Sequence, residues 1–154
     1  MQPATRSLAD AWAEWAVQGV VIQIKGDNIL FRPRASTQPF WLYLGTACDR
    51  PPGIGTCELV IHPVIFHCHR LVIRRGQMPR VPHLDFRADE LERCRGRLVS
   101  KSPQSDSFVL DLGFPVVVGL LQECEEFERA EEGDILEMEF APPTQAYPLG
   151  GGAA

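Results

Sequence analysis

Apolar residues along this chain recur mainly at every second position, in short runs. Val20, Ile22 and Ile24 alternate with Val21, Gln23 and Lys25. Phe108, Leu110 and Leu112 share one face of a later run, and Leu136, Met138 and Phe140 enclose Glu137 and Glu139 in another. A period of two residues is the signature of a half-buried strand. Val116 to Leu121 is apolar throughout, which predicts a strand buried on both sides. One stretch breaks the rule: Leu8, Ala11, Trp12, Trp15 and Ala16 recur at helical spacing. Ser7 can cap that helix, Asp10 answers three residues on, and Gly19 sits where a terminating glycine belongs.

Turn residues divide the runs. Gly26-Asp27-Asn28 predicts a hairpin between the Val20 run and Ile29–Arg32, and Pro33 ends or edges the second strand. Phe40–Leu44 reads as an aromatic strand, and Gly45–Thr56 as a loop around Pro51-Pro52-Gly53. Two strands are expected at Glu58–His62 and Ile65–Arg75, with Pro63 breaking the ladder. Arg87–Cys94 reads as one or two turns of helix. Gly96–Lys101 and Ser107–Leu112 read as a hairpin, and Leu121, Cys124 and Phe127 as a short helical turn. Ile135–Phe140 is the last expected strand.

This density of turn signals leaves little room for parallel crossovers. The expected fold is mainly β with a minor α part: an antiparallel barrel or sandwich with an N-terminal helix–hairpin. An OB-like, five-stranded barrel running from Glu58 to Phe140 is one form it could take. The organisation expected is a helix–hairpin appendage over 1–35, an antiparallel β domain over 36–141 and a flexible tail over 142–154.

Charge is sorted by position. Residues 1–103 hold 14 Lys and Arg against 9 Asp and Glu, while residues 104–154 hold 1 Arg against 11. Either a basic surface is kept for a partner, or the two halves attract each other. Nine cations lie between Arg70 and Lys101, and eight of them are Arg. Guanidinium matches phosphate and carboxylate bidentately and stacks on aromatic rings. Arg70, Arg74, Arg75, Arg95 and Arg97, with Trp41 and Tyr43 as apolar or stacking anchors, form the candidate partner-binding set. A basic groove beside the aromatic strand would also suit single-stranded nucleic acid. Two readings compete: the arginines pair with the acidic C-terminal third, and the two aromatics belong to the core. The sequence pI near 5.3 is low for a nucleic-acid binder.

All four histidines fall within 22 residues: His62, His67, His69 and His83. His67 and His69 share a strand face, so the cluster could ligate a divalent metal, although the spacing matches no known zinc pattern. The alternative is a half-buried polar pair. Five cysteines at irregular spacing, with no export signal ahead of them, read as reduced thiols in a cytosolic compartment, and a Cys48–Cys57 bridge is an open alternative. No run approaches the length of a membrane span. Gly53-Ile54-Gly55 lacks the context of a dinucleotide loop. The glutamates from Glu123 to Glu132 are a solvated face or a docking surface for a basic partner.

Within residues 8–34, Gly19-Val20-Val21-Ile22, then Gly26-Asp27 and Ile29-Leu30-Phe31-Arg32, resemble the helix–hairpin part of docking domains at the start of some biosynthetic megasynthases. The second helix of those domains is not evident here. The resemblance implies recruitment of a protein partner through an exposed strand. The leading expectation is therefore a non-catalytic binding or adaptor module that docks a protein partner through the Arg-rich face. Its alternatives are a single-stranded nucleic-acid-binding domain, a metal protein or enzyme built on the histidines, and a self-associating subunit. No cofactor is expected apart from the divalent metal of that alternative, and no membrane partner.

Overall fold

Alternation builds strands in the computed structural model, which describes residues 12–45, 51–65, 72–74, 81–102, 106–122 and 124–149. In chain order they are β1 (Val17–Lys25), β2 (Asn28–Pro33), β3 (Phe40–Tyr43), β4 (Gly55–Ile65), β5 (Val72–Arg74), β6 (His83–Arg87), β7 (Glu90–Lys101), β8 (Ser107–Asp111), β9 (Pro115–Leu120), β10 (Ile135–Glu139) and β11 (Ala141–Pro148). A 3-10 helical turn at Ala13–Trp15 precedes β1, and one turn of helix, α1 (Glu125–Glu128), follows β9. The mainly β barrel expected from the pattern is what forms. The helix expected from Leu8 lies mostly outside the described residues.

Five strands close on themselves. β1 pairs antiparallel with β2 and, over Val17–Val21, with β4. β2 pairs antiparallel with β3, β3 meets β11 in parallel at Tyr43 and Gln145, and β11 returns antiparallel along β4. The ring order is β1–β2–β3–β11–β4–β1. This corrects the expected span of the barrel: it is not built from Glu58 to Phe140 but from both ends of the described chain. The hairpin expected as an appendage supplies two staves, and β11, all but its first residue expected as a tail, supplies a third. Pro142 and Pro143 fall where the β11 register shifts between Ala141 and Gln145, so their missing N–H groups cost no ladder bond there.

The hairpin turn depends on Gly26, whose φ of +60° suits the first turn position of a two-residue loop. Gly19 answers a different need. A Cβ there would lie 2.4 Å from both the Arg32 carbonyl oxygen and the Phe31 ring, so only glycine lets β1 and β2 approach this closely.

β4 outruns the ring. Its last residues, Val64 and Ile65, pair in parallel with β9, and the sheet continues through β8, β7, β10 and β5, with β6 on β7. The helix expected at Arg87–Cys94 is instead the β6–β7 hairpin, turning through Ala88 and Asp89 at φ 52° and 60°. Ala-Asp-Glu-Leu carries helix-forming residues and no turn dipeptide. Cross-strand pairing overrides that local preference.

Val21, Ile29, Phe31, Phe40, Leu42, Leu59 and Ile61 fill the ring, each no more than 1% exposed. Burying side chains of this size stabilises by about 1.5–3 kcal/mol each. The Phe40 ring lies 5.6 Å from Phe86 and 5.9 Å from Phe114, joining the ring to the second sheet. β9 is buried on both sides as expected: Val116 and Val118 join this core, and Val117 joins an outer cluster with Val60 and Val109 beneath Trp12, Trp15 and Tyr147. Among the described residues no helix is long and apolar enough to cross a membrane.

Candidate functional site

Three described arginines beyond the ring, Arg87, Arg93 and Arg95, meet carboxylates. Antiparallel register sets Arg93 opposite Glu139 and Arg95 opposite Glu137. Arg95 donates from Nε to Glu137 Oε1 at 2.6 Å and from Nη2 to the same oxygen at 2.5 Å, with both side chains under a quarter exposed. Arg93 lies 3.6 Å from Glu139 and Arg87 3.6 Å from Glu92. Arg97 donates from Nη1 to the Gly133 carbonyl at 3.0 Å. β6 adds His83 opposite Arg95 and Asp85 opposite Arg93. Of the arginines expected on a basic face, Arg95 is thus met by a glutamate of the acidic C-terminal third and Arg97 by a backbone carbonyl. Arg74 stands opposite Ile135 at the β5 edge, while Arg70 and Arg75 lie outside the described residues.

Of the four histidines the structure describes two, His62 and His83, and they stand apart in kind: His62 is buried and His83 is at the surface. His62 packs its ring 4.8 Å from Trp12 and 5.9 Å from Tyr147, and Nδ1 donates to the Val117 carbonyl at 2.6 Å. Burial holds this imidazole below its ordinary pKa, and the backbone hydrogen bond only partly opposes that. His83 makes its contact on β6, with Asp85 at 3.0 Å. His67 and His69 lie outside the described residues, and among the described residues no three His, Cys, Asp or Glu side chains gather as a metal site. Cys57, Cys94 and Cys124 are free thiols; Cys48 lies outside the described residues. Burial pushes the Cys57 thiol up to about 11 and Cys94 well above its ordinary range, which removes both as thiolate nucleophiles near neutral pH.

Trp41 and Tyr43 are brought to the outside of the ring. Phe40 and Leu42 take the inward positions of β3, so the two aromatics stand half-buried on the outer face, two residues apart. Leu30 lies opposite Trp41 and Asn28 opposite Tyr43 on β2. One strand further, Gln23 faces Leu30 and Lys25 faces Asn28, while Gln145 flanks Tyr43 on β11. Arg32 continues the outer row of β2 and borders a groove of about 610 Å³ over β4, β1 and β2. From Val17 to Leu44 and Gly55 to Ile65, Lys25, Arg32 and Arg34 stand against Asp27 and Glu58 only. Among the described residues neither Lys25 nor Arg32 has an ion-pair partner.

Lys25, Arg32 and Arg34 were not singled out by sequence. The available signal was the two-residue spacing of Arg32 and Arg34 across Pro33, on the return strand of a recognisable hairpin. Scanned against known protein-family models and against curated protein sequences, the chain matches none.

Proposed function

We propose that this chain is a non-catalytic binding module that takes single-stranded nucleic acid across the outer face of β1, β2 and β3. The observation that carries this reading is the placement of Trp41 and Tyr43 on the outside of β3, beside Lys25 and Arg32, two cations with no ion-pair partner among the described residues. Bases of any identity stack on aromatic rings, each worth roughly 1–3 kcal/mol, while cations along the same face track the phosphates. Ring topology supports it. Numbering β11 as the fifth stave, the order is first, second, third, fifth, fourth, first, with only the third and fifth parallel, as in an OB-like barrel, whose second and third strands bear the ligand. The low pI is compatible with this reading, because the acidic C-terminal third is concentrated in α1, the turn after it and β10, and β10 pairs with β7 and β5 rather than with the first three strands.

Docking of a protein through the Arg-rich face is the weaker reading, since at Arg95, its best-described member, a partner would have to displace Glu137. Fluorescence anisotropy of labelled oligodeoxynucleotides over a range of salt tests the proposal. Trp41→Ala is expected to weaken binding roughly tenfold or more. Lys25→Ala and Arg32→Ala are each expected to flatten the log affinity–log salt slope by about 0.7. Absence of salt-dependent binding by the intact chain, or a Trp41→Ala variant that binds as before, would overturn it.

A further inference from the structure

The groove beside the aromatic face carries an ordered row of polar groups. Gln18 on β1 lies opposite Glu58 on β4, and the Arg34 backbone N–H donates to the Gln18 carbonyl at 2.8 Å, which sets Arg34 on the other side of the same row. The order across three strands is guanidinium, amide, carboxylate. Arg34 Nη1 donates to Gln18 Oε1 at 3.4 Å, and Gln18 Nε2 donates to Glu58 Oε2 at 3.4 Å. Both bonds are long, near the limit of useful geometry, so a better partner can replace them. All three side chains are exposed, and the groove, at about 610 Å³, has the size of a small-ligand site.

Such a row reads a planar edge by its ends. Arg34 only donates, ionised Glu58 only accepts, and the Gln18 amide can do either. A ligand edge that fits must present an acceptor at one end and a donor at the other. Cytosine does so with O2 and its amino group, and guanine does so with O6 and its amino group. Thymine and uracil carry carbonyl oxygens at both ends, so one oxygen would face the Glu58 carboxylate. Adenine has a donor and an acceptor but only a C–H at the third position, which leaves Arg34 unanswered. Arg32 occupies the adjacent row, opposite Val20, at the border between groove and aromatic face. There it can hold the phosphate that links a stacked base to one in the groove.

We propose that this groove is a base-selective subsite, taking cytosine or guanine in preference to thymine or uracil through Glu58, Gln18 and Arg34. The inference rests on the nucleic-acid reading above. It adds sequence preference to a face that would otherwise bind any base.

Two measurements on the full chain separate the two claims. In the first, anisotropy compares an oligodeoxycytidine with an oligothymidine, each of about 12 nucleotides. The expected result is roughly tenfold tighter binding of oligodeoxycytidine, in line with one well-placed base contact. Glu58→Gln, which turns an obligate acceptor into a group that can also donate, is expected to bring the ratio near one without weakening oligothymidine. Equal binding of the two strands, both weakened by Trp41→Ala, overturns the groove inference and leaves the aromatic face standing. In the second, amide NMR shifts are followed while deoxycytidine monophosphate and thymidine monophosphate are titrated separately. Shifts at Gln18, Arg34 and Glu58 with the cytidine nucleotide alone support the subsite even if oligonucleotides fail to bind. No shift there with either nucleotide, or equal shifts with both, overturns it.

Discussion

Two faces of this molecule carry arginine to opposite effect. On β7, antiparallel register brings Glu139 and Glu137 of β10 against Arg93 and Arg95, and the charges neutralise one another within the fold. On β2, Arg32 looks across to Val20, and among the described residues no carboxylate meets it. Among the described residues, therefore, Arg93 and Arg95 are the less available arginines, and Lys25 and Arg32, on the strands beside Trp41 and Tyr43, are the cations that no carboxylate meets. A count of charges along a chain measures how much charge there is. The residue across the strand determines how much of it a partner can reach.

The severest way to break the contrast is to force the β1–β2 ladder apart. Gly19→Val would drive a side chain into the Arg32 carbonyl and the Phe31 ring. It is expected to destabilise the protein by about 3 kcal/mol, read from urea unfolding, and to remove the aromatic face with it. Next comes a reciprocal pair. Arg95→Ala leaves Glu137 under a quarter exposed and without its strongest partner, and should lower stability by about 2 kcal/mol while leaving oligonucleotide affinity unchanged. Arg32→Ala should do the reverse: a change of stability within about 0.5 kcal/mol and a clear loss of affinity. If Arg95→Ala weakened binding as much as Arg32→Ala, the distinction between the two faces would be wrong.

Acid provides a third probe, because His62 sits on a ring strand. Its folded-state pKa is lowered, mainly by burial. An unfolded imidazole takes its proton near 6.5, so as pH falls below that value the unfolded chain is protonated first. Stability should be independent of His62 above about pH 7 and should fall at lower pH by at most about 1.4 kcal/mol per unit, until the folded-state value is reached. Melting temperature against pH would show the limb, and His62→Phe should flatten it. The smallest effect is of opposite sign and belongs to the charged sheet. Ala88 holds φ 52° in the β6–β7 turn, a strained region for a residue with a Cβ. Ala88→Gly should stabilise by about 0.5 kcal/mol without altering binding, as differential scanning calorimetry can test.

Much of the fold was legible because strand alternation is a local property. Phe40 and Leu42 had to share one side of β3, which put Trp41 and Tyr43 on the other, and Gly26 marked the first hairpin. The β6–β7 turn was not legible, since Ala88-Asp89 resembles the start of a helix until β7 finds partners on both edges. The candidate face was half legible: its aromatics stood out, while Lys25, Arg32 and Arg34 were outnumbered by the arginines further on.

By itself the order of residues determined most of the strands, the inward side of β3 and the first hairpin turn, but not the inward side of β1, where Val21 is buried and Ile22 and Ile24 are exposed. Only the tertiary structure decided that the two ends of the described chain meet, with β11 closing the ring between β3 and β4, and that Arg93 and Arg95 are answered by Glu139 and Glu137 from far along the chain. The reason is physical. Alternation within a strand is set by backbone geometry over neighbouring residues, whereas pairing between strands is set by register across long loops, and register decides which charges are left for another molecule.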